Sequence, residues 1–224
     1  MNSGSWEAKL VFVTATPLQE IRRQLREKFP AAHGFAAVAE DSNGGCETLF
    51  EIDTFPAGAI SEIIPATEGG GLSLWIAGLL AEPEEVAEFP KFVLVDGGDH
   101  FDPASYTASA CSQLLWVRCA KIQEALKAAD LLVRDGNIPF VMLDLCGLPV
   151  AALRSVPAAA WWRLKQLCEA SACRLVVMAP APLVPCASLR LALSIHLTLQ
   201  DFELPRKEIL PRVAARPERL RHVT

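Results

Sequence analysis

The runs Phe92-Val93-Leu94-Val95-Asp96, Phe140-Val141-Met142-Leu143-Asp144 and Arg174 to Ala179 are short and almost continuously apolar. A strand with one wet face alternates between apolar and polar residues. A strand that is apolar at consecutive positions must be covered on both faces. Segments with helical periodicity lie between these runs. Lys121–Arg134 places Ile122, Ala125, Leu126, Ala129, Leu132 and Val133 on one side, and Gly136 follows as its C-terminal cap. Ala158–Ala170 repeats the pattern with Trp161, Leu164, Leu167 and Cys168. Further strands are expected at Ile60–Ile64, Leu114–Val117 and Leu189–Leu199, with a helix from Leu72 to Leu80 and a loop with a short helix over 97–112. Strands alternating with helices in this way imply an α/β fold of three layers, α/β/α, around a mostly parallel central sheet.

The flanks differ in composition. Lys9–Thr14 reads as a strand and Pro17–Phe29 as a helix whose outer face carries Arg22, Arg23, Arg26 and Lys28. Residues 40–47 have the composition of a linker. From Pro205 the chain is rich in proline and arginine and only weakly periodic, which reads as a tail. The expected division is therefore 1–47, a core over 48–204, and a basic tail over 205–224. The tail carries a net charge of +4, whereas the whole chain of 224 residues carries −5. That overall balance does not advertise nucleic acid as the main partner.

Seven cysteines, with no C-x-x-C pair, point to buried thiols in a reducing, cytoplasmic setting. The four histidines show no ligand spacing, so no metal site is expected. The apolar stretch from Leu175 is broken by Pro180, Pro182, Pro185 and Arg190, which excludes a membrane span.

Between the expected strand Ile60–Ile64 and the helix from Leu72 lie Gly69, Gly70 and Gly71. Strand, glycine-rich turn and helix is the plan of a phosphate-binding loop, G-x-x-x-x-G-K-[ST]. With the second glycine of that motif set on Gly70, the first falls on Pro65, the lysine on Gly71 and the magnesium-binding hydroxyl on Leu72. Ser73 comes one residue late. The loop thus lacks its phosphate cation and its metal ligand, and Pro65 fixes φ where the motif needs freedom.

The segment from Phe55 to Ile63, with its Pro56-Ala57-Gly58 turn and Glu62-Ile63, resembles the approach to the P-loop in RecA-type ATPases. Val93 to Pro103 resembles the RecA segment that carries the catalytic glutamate and closes on Asp102-Pro103. Aligned without a gap, the glutamate position is Gly98, and Asp99 would serve only by a shift of one residue. Val141-Met142-Leu143-Asp144 resembles the Walker B strand, with Asp144 at its aspartate. The likeness spans Glu51 to Leu199. Leu114-Leu115-Trp116-Val117-Arg118, Glu124 to Asp130 and Trp162 to Ala170 resemble the divergent ImuA/SulA-like branch, whose ImuA proteins accompany an ImuB polymerase homologue in the SOS response.

This resemblance implies an adaptor without catalysis in SOS-induced translesion synthesis, with ATP and Mg²⁺ not expected as cofactors. It would dock an ImuB-like Y-family polymerase homologue, with RecA or the replicative clamp and polymerase as further candidates. It also implies two alternatives: a RecA-like protein with residual ATP binding or ATPase activity, and a SulA-type inhibitor of cell division. The regions matching the RecA DNA loops, Gly147–Pro157 and Ala179–Ala187, offer one cation, Arg154, so DNA contact is expected to be weak or indirect. Phe12 and Ala15 fit the Phe-x-x-Ala pattern by which RecA-family strands add to a neighbour's sheet. With Arg22, Arg23, Arg26, Arg212 and Arg216, they form the expected partner-binding set.

Overall fold

A computed structural model describes residues 48–67, 70–80 and 90–220. The expected N-terminal strand and helix, with Phe12, Ala15, Arg22, Arg23 and Arg26, lie outside these residues. So do the linker over 40–47, Gly69, and the acidic break over 82–88.

Seven strands form one sheet in the order β3-β2-β4-β5-β1-β6-β7. They are β1 Ile60–Pro65, β2 Phe92–Asp96, β3 Leu114–Arg118, β4 Phe140–Asp144, β5 Arg174–Met178, β6 Leu189–Ser194 and β7 Ala214–Leu220. Every pairing is parallel except β6 with β7. The helices are α1 Leu72–Leu79, α2 Ala108–Ser112, α3 Ile122–Asp135, α4 Val150–Arg154, α5 Ala158–Ser171 and α6 Arg206–Ile209.

The apolar runs divide their side chains between two cores, as the two-residue period of a strand requires. Val93, Val95, Val141, Leu143, Leu175 and Val177 pack against α3 and α5 through Ala125, Ala129, Val133, Trp161, Leu164 and Cys168. Phe92, Leu94, Phe140, Met142, Val176 and Met178 point the other way, onto Phe55 and the α1 residues Trp75, Ile76 and Leu79. The architecture is therefore a three-layer α/β/α arrangement around a mostly parallel sheet. Gly136 takes a φ of 71° and donates its N–H to the Leu132 carbonyl, ending α3 as the sequence implies.

Two expectations need correction. The strand expected to reach Leu199 stops at Ser194, and a 3₁₀ helix over Leu199–Glu203 follows, closed by a capping box between Thr198 and Asp201. The segment expected as a tail is built into the sheet instead. It contributes α6, a 3₁₀ turn Leu210–Arg212 and the edge strand β7, with Ile209 and Val213 buried. Leu193 pairs with Ala215 and Ala192 with Arg216. An edge strand held by its backbone ladder needs little apolar periodicity, and charged residues with a proline are typical of such edges. Arg216, Pro217 and Glu218 are all exposed there.

Candidate functional site

The carboxyl ends of β1, β2, β4 and β5 meet in register: Asp96 lies beside Asp144, Asp144 beside Met178, and Met178 beside Ile63. Above them opens a cavity of ≈ 540 Å³. The end of β1, the turn after it and α1 line it with Pro65, Ala66, Thr67, Gly70, Leu72, Ser73 and Ile76; the loop after β2 adds His100, Phe101, Asp102, Ser105 and Tyr106; Asp144, Cys146 and Pro180 complete it. The described lining contains no lysine or arginine.

Two N–H groups of the turn after β1 are bonded within the protein. Ala66 donates to the Leu193 carbonyl at 2.7 Å and Gly70 to that of Thr67 at 2.9 Å. A Cβ on Gly70 would sit 2.8 Å from the Thr67 oxygen and 2.9 Å from Pro65 Cβ, so the turn folds back tightly on its own start. Gly71 caps α1 with a φ of 90°, and a Cβ there would meet Ile195 Cγ2 at 3.3 Å and Val213 Cγ1 at 3.8 Å. The lysine position therefore points toward the β6–β7 side.

Asp96 is fully buried and works for the backbone. It accepts N–H groups from Gly98, His100 and Phe101 at 3.0–3.3 Å and the indole N–H of Trp116 at 3.3 Å. These bonds curl the loop after β2 back over the strand end. Gly97 donates to the Asp144 carbonyl at 2.8 Å. A Cβ on Gly98 would lie 2.8 Å from Gly147 Cα, and one on Gly147 would strike the His100 ring. Backbone meets backbone where the resemblance would seat a glutamate.

The adjacent Asp99 holds a left-handed φ of 56° and forms a two-pronged ion pair with Arg118, both bonds 2.7 Å. Those bonds hold its carboxyl below the ordinary value. Asp99 does not line the cavity. Asp144 does, and its Oδ1 accepts the Cys146 N–H at 2.9 Å. Burial pushes the Asp144 carboxyl up, and the Cys146 N–H partly offsets this. Burial, then the Asp144 charge, pushes the Cys146 thiol up as well. No group of three or more His, Cys, Asp or Glu with metal-holding geometry occurs among the described residues.

Of the cations expected to serve partners, Arg212 is ion-paired to Asp201 at 2.6 Å, while Arg216 is exposed on β7. Arg154 is exposed on α4.

One buried feature escaped the sequence reading. Glu62 on β1, with no exposed surface, bonds Arg190 on β6 at 2.7 Å and accepts the N–H groups of Leu183 and Val184 at 2.6 and 3.0 Å. It pins the apolar loop after β5. The available signal was a lone glutamate and a lone arginine, each the one charged residue of its strand.

No described helix is long and apolar enough to cross a membrane. Neither a protein-family model nor a curated protein matches the chain. Among solved structures, the RadB recombinase is similar, with 13% identity over 64% of this chain and 78% of that one and a TM-score of 0.47.

Proposed function

We propose that this chain is a RecA-like protein that acts by binding rather than by hydrolysing nucleotide, as an adaptor in SOS-induced translesion synthesis. The observation that carries this reading is the contact of Gly98 with Gly147. In this backbone no side chain fits the position of the catalytic carboxylate without the two loops parting. The self-bonded turn after β1 and the absence of lysine and arginine from the described lining support it too. Phosphoryl transfer depends on cations, metal and a positioned carboxylate to stabilise charge. The pinned, uncharged loop after β5 supports docking to protein over strand exchange on DNA.

The partner class, an ImuB-like polymerase homologue, comes from the motifs Leu114–Arg118, Glu124–Asp130 and Trp162–Ala170. Calorimetry with ATP and Mg²⁺ is expected to give no binding heat, and pull-down is expected to retain an ImuB-like protein but not the division GTPase that SulA-type inhibitors block. ATP-dependent turnover would overturn the non-catalytic part, and capture of the division GTPase alone would overturn the adaptor part.

A further inference from the structure

The loop after β2 is tied on two sides. On one, the Tyr106 hydroxyl donates to the Ser73 carbonyl, in the first turn of α1, at 3.1 Å. On the other, the Arg206 guanidinium of α6 lies 5.1 Å from the Tyr106 ring centre and donates to the Ser105 carbonyl. Phe101 stacks on the Tyr106 ring at 4.9 Å and meets Trp116 edge-on at 5.3 Å, so the ring has little freedom to tilt. Burial raises the Tyr106 phenol to about 12. Ser73, Phe101, Ser105 and Tyr106 all line the cavity; Arg206 touches it only through them. Beyond α6, Val213 packs near Gly71, giving the C-terminal segment a second hold on the start of α1.

We propose that Arg206, Tyr106 and Ser73 form a clasp that couples the seating of the C-terminal segment on the sheet to access to the cavity. Each contact is weak by itself: a cation over a ring and single hydrogen bonds to exposed carbonyls. The clasp therefore opens without unfolding the sheet. Coupling of this kind is reciprocal. A partner that draws α6 away admits molecules to the cavity, and an occupant that displaces Tyr106 loosens α6.

Cys146 lines the cavity and reports on access. N-ethylmaleimide labelling of the full chain, read by peptide mass spectrometry, gives its rate. The buried Cys168 and Cys173 serve as controls for unfolding. Arg206→Ala and Tyr106→Phe are each expected to speed Cys146 labelling about fivefold, the worth of roughly one hydrogen bond, with the two controls unlabelled. The double variant is expected to label no faster than the quicker single one. Rates equal to wild type in both variants would overturn the proposal. So would a double variant whose acceleration is the product of the singles, since the contacts would then act independently. If Arg206→Ala exposes the control cysteines, Arg206→Lys, which keeps the charge but loses the planar fork, is read by the same criteria.

Discussion

At the smallest scale, Gly98 and Gly147 set how closely the loops after β2 and β4 approach. Their backbones meet where a Cβ would come within 2.8 Å, so even Gly98→Ala forces the loops after β2 and β4 apart. The expected cost is about 1–3 kcal/mol, the range for overpacking a filled site, measured as a fall in the urea midpoint at unchanged slope. An unchanged midpoint would show that the loops part freely. Gly71 makes the companion case. Restoring the missing motif residues with Gly71→Lys and Leu72→Thr places a side chain on a backbone with a φ of 90°, aimed at Ile195 and Val213. ATP hydrolysis is expected to stay at background, and appreciable turnover would overturn the non-catalytic proposal. Asp144 gives the opposite kind of prediction. Its folded pKa is raised by burial, so the stability it contributes is present below its unfolded pKa and is lost as pH rises through the folded one. Asp144→Asn keeps an acceptor for the Cys146 N–H and removes the charge. Its Tm at pH 7 is expected to equal or exceed that of wild type; a clear fall would assign the carboxylate a role beyond bonding Cys146.

Among the elements, the Glu62–Arg190 pair couples β1, β6 and the loop after β5. Removing one partner leaves a buried charge and two unsatisfied N–H groups, so Glu62→Ala is expected to cost about 3–5 kcal/mol, with hydrogen exchange rising first in residues 180–187. A cost within error of zero would mean that water replaces the carboxylate. The central elements were legible in the sequence because burial on both faces leaves a plain mark. Phe92–Asp96 and Phe140–Asp144 match the expected bounds, and α3 and α5 match within a residue at each end. Of the positions aligned with the phosphate-binding motif and the Walker B aspartate, Pro65, Gly70, Leu72, Ser73 and Asp144 line the cavity. What that alignment could not give was geometry: that Gly71 faces β6–β7, and that Gly98 touches Gly147. Contacts between residues far apart in the chain, such as Tyr106 with Arg206, leave no local pattern to read. β7 was missed for a different reason, because its stability lies in backbone pairing and not in side-chain period.

For the molecule as a whole, the C-terminal segment separates two views of where the fold ends. As a tail, residues 205–224 could be removed silently. As part of the sheet, residues 205–220 bury Ile209 and Val213, cover the β6 edge, and supply Arg212 to Asp201. Ending the chain at Leu204 would expose those surfaces and leave β6 as an open edge with Leu189, Leu191 and Leu193 along it. Losing the burial of two branched aliphatic side chains is worth roughly 3–6 kcal/mol, so the shortened chain is expected to melt lower and to scatter light on concentration. The acid side gives a second mark. Asp201 has its pKa lowered by the Thr198 N–H and by Arg212, so its contribution is present above its unfolded pKa and lost as pH falls through the lower folded value. Without Arg212 that shift shrinks, and the loss of stability on acidification should be less steep in the shortened chain than in the full one. Thermal melts of both chains between pH 7 and pH 3 would check this. Parallel curves of equal Tm would return residues 205–224 to the status of a tail and remove the basis for coupling them to the cavity.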